Sequence, residues 1–209
     1  MGKTIILALQ AAMLAGTGGC GYLMTVLTPP PPPVKVPAEF AGLANQSVAV
    51  IIHAEPGVEY EHPGATIELS YLIASELKRN VQGVRLVDCR QVARYQQENT
   101  RWDEMDRTKL GKHFGADYLL YVTLAEYSTR EPGSVGLYRG RIAGEASLYA
   151  CAAAEHQALA WRGADLWAVY PVDNPTGKLA EDERQIRYQT ARTFAEKLTR
   201  KFYQHKVNP

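Results

Sequence analysis

SVAVII, Ser47 to Ile52, is an unbroken run of small and β-branched apolar residues. A strand with one wet face alternates apolar and polar side chains. A run without alternation suits a strand covered on both faces, as in a sheet with helices on each side. YLLYVTL, Tyr118 to Leu124, reads the same way. Between the two, Ala65 to Asn80 places Leu69, Leu72, Ile73 and Leu77 on one side of a predicted helix. Val84 to Val87 reads as a short strand, and Asp88 to Gln97 and Asp103 to Phe114 as helices. Gly115 stands where the second of these should stop. Strands joined by helices pair in parallel.

Beyond Leu124 the pattern changes. Ser128 to Leu137 is a predicted turn region around Pro132 and Gly133. Arg139 to Tyr149 alternates Ile142, Gly144, Ala146 and Leu148 against Arg141, Glu145 and Tyr149, and His156–Arg162 and Asp165–Tyr170 read as two more strands. Such strands form an antiparallel meander with one wet face. Glu181 to Gln204 is a predicted amphipathic helix, with Ile186, Ala191, Phe194, Ala195, Leu198 and Phe202 at helical steps. The predicted fold class is therefore α/β (α+β mixed): a mixed sheet in the order β-α-β-α-β-β-β-α, with helices packed on it. The globular domain is placed at residues 44–207, enough to bury about 70% of its unfolded surface.

Charge excludes one class of function. Residues 1–19 hold one Lys and no acid, and the remainder balances 22 basic against 22 acidic residues. A neutral chain lacks the clustered basic face that nucleic-acid binding requires. Arg184, Arg187, Arg192, Lys197, Arg200 and Lys201 do cluster, but Glu181, Asp182, Glu183 and Glu196 share the segment. Acids first and bases last complement a helix dipole, so the segment reads as a solvated helix.

The amino terminus carries an address. Lys3 precedes an apolar stretch from Thr4 to Ala15, then Gly16, Thr17, Gly18, Gly19 and Cys20. A charged start, an apolar middle and a small-residue exit are the parts of a secretory signal. The Cys at its end is similar to the site of bacterial lipoproteins, which are cut before a diacylated cysteine. Thr17 stands where that pattern usually has Leu, whereas Gly18 and Gly19 fit. This makes residues 1–19 a signal peptide, Cys20 the lipidation site and residues 20–43 a proline-rich tether.

The competing reading is an uncut anchor. Ile5 to Leu27 is 23 residues without a charge, long enough to span a bilayer core. Four glycines within it weaken a helix, and lipidation is favoured. Myristoylation at Gly2 lacks the Ser or Thr expected at position 6, which is Ile6. Pro29 to Pro37 is a stiff spacer, and in polyproline geometry it reaches about 28 Å. The expected location is the bacterial envelope, membrane-anchored and facing the periplasm, with the outer membrane favoured.

If Cys20 is acylated, Cys89 and Cys151 remain. An oxidising envelope permits a disulfide between them, and the alternative is two independent buried thiols. The loop from His53 to His62 gathers His53, Glu55, Glu59, Glu61 and His62. His53 and His62 with Glu55 or Glu61 could ligate a metal, and the loop follows a buried strand where open α/β sheets bind ligands. Against that stands a merely polar loop, since no HExxH or comparable spacing is present. The sequence carries no G-x-S-x-G, P-loop or G-x-G-x-x-G pattern, and no cofactor is expected.

SVAVIIH, LGKHFGADYLLYVTL and GEASLYACAAAEHQALAWRG together resemble one family of folds. It is the envelope lipoprotein fold shared by the curli-secretion lipoprotein, the activator lipoproteins of penicillin-binding proteins and the amino-terminal domain of TolB. The resemblance covers about Ser47 to Phe202, with Cys151 where the family usually has Asp or another polar residue. It implies a fold and an address but no activity. Members mostly bind other proteins, some as ring oligomers. A membrane-crossing pore is disfavoured here, because Arg139 to Tyr149 would put Arg141 and Glu145 on one face and small residues on the other.

These readings converge on a tethered, non-enzymatic binding or assembly factor whose partner is an envelope protein, with Trp167 and Tyr170 as the candidate contact surface. The alternatives are a metal-dependent enzyme using the His53–His62 loop and a self-associating ring subunit.

Overall fold

The computed structural model describes residues 32–134, 136–174, 177–179 and 183–207. Cys20, the signal segment and the first part of the spacer lie outside them. The chain divides into two units. One comprises residues 1–36 with 206–209, and its described part holds β1 (Val34–Val36), which pairs with β8 (His205–Val207). The other runs from Pro37 to His205 and carries the large sheet.

In that unit β2 (Ser47–Ala54) is followed by two helices, α1 (Pro56–Glu61) and α2 (Ala65–Asn80). Then come β3 (Arg85–Leu86), α3 (Cys89–Glu98), a 3₁₀ turn (Trp102–Glu104) and α4 (Arg107–His113). The meander is β4 (Tyr118–Arg130), β5 (Leu137–Ala150) and β6 (Leu159–Tyr170), followed by β7 (Lys178–Leu179) and α5 (Glu183–Thr199). The strand order is β3-β2-β4-β5-β6, with β7 joined to β5. β2 is parallel to both neighbours, and the meander is antiparallel. The predicted mixed sheet with helices on it is the observed one.

Why β2 lacks alternation is now visible. Val48, Val50 and Ile52 enter a core beneath α2 and α5, with Leu69, Ile73, Phe194 and Leu198. Ala49 and Ile51 enter a second core on the other face, beneath α3 and α4, with Val92, Leu110 and Phe114. Both faces are dry, so each successive residue contributes burial energy, roughly 1.5–3 kcal/mol for a large aliphatic side chain. Across β5 and β6 the first core continues through Ile142, Leu148 and Leu166, while the second is met by Leu119 and Tyr121 at the start of β4. The other face has no helix over its distal part, which is why β5 alternates.

The Gly-Ala-Asp segment before β4 acts as a staple. Gly115 has φ +64°, the left-handed conformation that ends α4 without a Cβ penalty. Asp117 Oδ2 then accepts from the Ser47 backbone N–H at 2.7 Å, while the Asp117 N–H donates to Ser47 O at 2.9 Å. The starts of β2 and β4 are locked in register, Val48 opposite Tyr118.

Four predicted boundaries differ. The loop 53–64 contains α1, because Pro56 suits a first helical turn. The predicted helix 103–114 is broken at Asp106, which caps α4 by accepting from Lys109 N–H at 2.9 Å. β4 runs on to Arg130, shortening the turn. The two predicted strands 156–162 and 165–170 are one, β6. The register steps there from Gly144–Leu166 to Ala146–Gly163, so the pairing is irregular at this point. Asp165, at φ +55°, makes the bulge, and the strand bends without ending.

The compact unit also starts earlier than residue 44. Leu43 is fully buried and Phe40 packs edge-on against Tyr118 at 5.7 Å. The backbone N–H groups of Glu39 and Phe40 both donate to Lys201 O, at 2.8 and 3.0 Å. The Glu39 carboxylate accepts from Lys201 Nζ at 2.6 Å and from Trp161 Nε1 at 3.0 Å.

The Lys201 hydrogen bond lowers the Glu39 pKa, burial opposes it, and the Trp161 bond adds to the lowering. A carboxylate with a depressed folded pKa stabilises above its unfolded value, about 4.3, and that contribution is lost as pH falls through the folded value. Both side chains are partly exposed, so Glu39→Gln is expected to cost under about 1 kcal/mol at pH 7. Urea titrations should show that difference shrink steadily as pH falls below the unfolded carboxylate value. A difference that does not shrink would assign the effect to packing instead of charge.

Candidate interaction surface and cleft

The carboxyl end of β2 opens into a cleft of about 400 Å³ between the start of α2 and the second half of α3. β2 leads to a helix on one face of the sheet and β3 to a helix on the other, the arrangement that leaves a crevice in open α/β sheets. His53 lines it, with its ring edge-on to Trp102 at 5.7 Å and tilted over Tyr121 at 6.4 Å. The Arg107 guanidinium lies 4.0 Å above the Tyr121 ring. Gln96 Nε2 donates to Ile52 O at 3.1 Å.

His62 is elsewhere. Its ring sits 4.8 Å from that of Tyr127, which belongs to the core beneath α2 and α5. Tyr121, the partner of His53, belongs to the other core. The two imidazoles of the candidate metal loop thus face opposite sides of the sheet, and α1 stands between them in the chain. Glu55 and Glu61 are exposed at either end of that helix. Among the described residues no three His, Cys, Asp or Glu side chains are grouped to hold a metal ion.

The disulfide alternative is corrected. Cys89 and Cys151 are both free and buried. Cys89 begins α3 near the Ser70 hydroxyl of α2, and Cys151 follows β5 in the core beneath α4. Burial pushes both thiols up, Cys151 to about 11. Neither is poised to react.

Trp167 and Tyr170 lie on β6, at the edge of the sheet. Tyr170 is half-buried, whereas Trp167 is 59% exposed, and Leu159 on the same strand is 51% exposed. Lys197 of α5 reaches round this edge. Its Nζ lies 4.1 Å from the centre of the Trp167 ring and donates to Trp167 O at 3.1 Å. Desolvation, then Arg200, lowers the Lys197 pKa. The lysine stacks on the indole and caps a carbonyl on the open edge, which discourages indiscriminate strand pairing there. Sequence reasoning singled out Trp167 but missed Lys197 and Trp102, whose partners are distant in sequence.

No protein-family model matches the chain, and no curated protein sequence does. Solved structures of bacterial proteins are similar in fold. The lipoprotein GNA1162 of Neisseria meningitidis is 19% identical, with 62% of this chain and 85% of that one covered and a TM-score of 0.46. A PelC dodecamer of Paraburkholderia phytofirmans is 14% identical, covering 83% and 99%, with a TM-score of 0.44. A minor lipoprotein of Acinetobacter baumannii is 14% identical, covering 80% and 99%, with a TM-score of 0.36. At these scores each is a likeness of chain trace and no more.

Proposed function

We propose that this is an exported envelope lipoprotein, anchored through Cys20, whose folded domain binds another envelope protein and catalyses nothing. The observation that carries the reading is the order of parts in one chain. A signal-like apolar segment ends in Gly18-Gly19-Cys20, a proline spacer follows, and a folded unit begins at Pro37. Two features support a binding role. The exposed indole of Trp167 is held in a fixed pose by Lys197, and pre-organised aromatic side chains serve as interface anchors. The histidines that would serve metal chemistry face different cores. Among the described residues no helix is long and apolar enough to cross a membrane.

Intact mass of the membrane-extracted protein tests the anchor. The expected species starts at Cys20 and carries acyl mass, and Cys20→Ala abolishes both. A chain starting at Met1 or Gly2 would overturn lipidation. The binding role is read from the same extracts. A stoichiometric partner held by the wild type and lost on Trp167→Ala supports it, and retention by both sinks Trp167 as the contact.

A further inference from the structure

The point where the tether joins the domain lies against the carboxyl end of α5. Glu39 and Phe40 hydrogen-bond to Lys201 O, and Glu39 pairs with the Lys201 ammonium. Whatever holds Cys20 is therefore tied to this end of α5 by the intervening chain, whose Pro29 to Pro33 run is its stiff part.

That end is cationic. From Arg192 to His205 the sequence carries Arg192, Lys197, Arg200 and Lys201 against one carboxylate, Glu196. Arg192, Lys197 and Arg200 are exposed, while Glu196 is half-buried between the two arginines, at 2.9 and 3.9 Å. The acid at the opposite end, Glu183, is taken up by Thr129 and Arg130 of β4, at 2.7 and 3.4 Å. A helix dipole accounts for bases in the last turn, and Arg192, two turns before the end, pairs with Glu196 at 2.9 Å, which leaves Lys197 and Arg200 in excess of that one acid.

We propose that the carboxyl half of α5, through Arg192, Lys197 and Arg200, docks on the anionic lipid headgroups of the membrane that holds Cys20. This rests on the anchor inferred above. Headgroup attraction acts only within a Debye length, about 8 Å at physiological salt, and a handful of charges binds weakly. The tether changes that, because it makes docking intramolecular at high effective concentration. Docking would fix the orientation in which the domain presents Trp167, whose ring already rests on Lys197.

The test uses the acylated full chain, reconstituted into vesicles of phosphatidylcholine alone or with about 30% phosphatidylglycerol, a content chosen to give a clear anionic surface. A donor fluorophore is placed at Gln204→Cys, an exposed site next to α5, with acceptor-labelled lipid in the bilayer. Cys89 and Cys151 are buried and do not compete for label. Energy transfer should rise in anionic vesicles, fall in high salt, and fall in the double variant Arg192→Glu/Arg200→Glu. The double variant removes two cations and adds two carboxylates, so it should lower the docked-to-undocked ratio by at least about 25-fold, and Arg94→Glu on α3 should leave it unchanged. Protein that floats with both vesicles yet shows transfer independent of lipid charge overturns docking while the anchor stands. Equal loss in Arg94→Glu also overturns it. Failure to float with either vesicle overturns the anchor, and docking with it.

Discussion

Phe194→Ala is expected to destabilise the domain by about 3–5 kcal/mol, read as a lower urea midpoint at unchanged slope. Phe194 is 1% exposed and belongs to the core that joins α5 to α2 and the meander. Truncation removes a large apolar surface and leaves a cavity that helix and sheet cannot both move to fill. Against a typical total of about 5–15 kcal/mol, the loss is a large share of all stability. The consequence is also functional. α5 carries Lys197, which poses Trp167, and leads into Lys201, which fixes Glu39. A loosened α5 therefore loses the indole pose and the seat of the tether together. A cost under about 1 kcal/mol would mean that α5 contributes little to the core.

Gly111→Ala should cost about 1–3 kcal/mol, although alanine is ordinarily the better helix former by about 1 kcal/mol. Gly111 faces Cys151, and a Cβ there would stand 2.2 Å from Cys151 Sγ and 3.3 Å from the Leu119 Cβ. The φ of this glycine is ordinary, so the requirement is close approach and not backbone freedom. Cys151→Ala in the same chain removes the colliding sulfur and leaves the Cβ of residue 151 at an ordinary 3.5 Å, with only the Leu119 Cβ still tight at 3.3 Å. The double variant should thus recover most of the loss, and a thermal or urea cycle over the four proteins measures the coupling. Additive effects would show that α4 does not rest on Cys151.

Some of the cleft and surface was legible early. Sequence marks Trp167 as a strand aromatic that suits a partner only if it is left outside the core, and the fold leaves it 59% exposed. His53 and His62 are close in sequence yet their rings lie against different cores, because a strand ends and a helix begins between them. Cys89 and Cys151 offered a pairing that the packing declines, each thiol having its own buried neighbours.

What the sequence by itself determined was local. The unalternating run of β2, the single apolar side of α2 and the glycine after α4 are written in neighbours within four residues, which set strand and helix periods. They sufficed for the fold class and for the change from parallel to antiparallel pairing. Tertiary structure alone decided where distant charges meet: Glu39 on Lys201, Lys197 on Trp167, Glu183 on Thr129. Those contacts join residues 30 to 162 positions apart, and no local period encodes them. They exist because two cores pull α2 and α5 to one face and α3 and α4 to the other, and that burial fixes which polar ends come together.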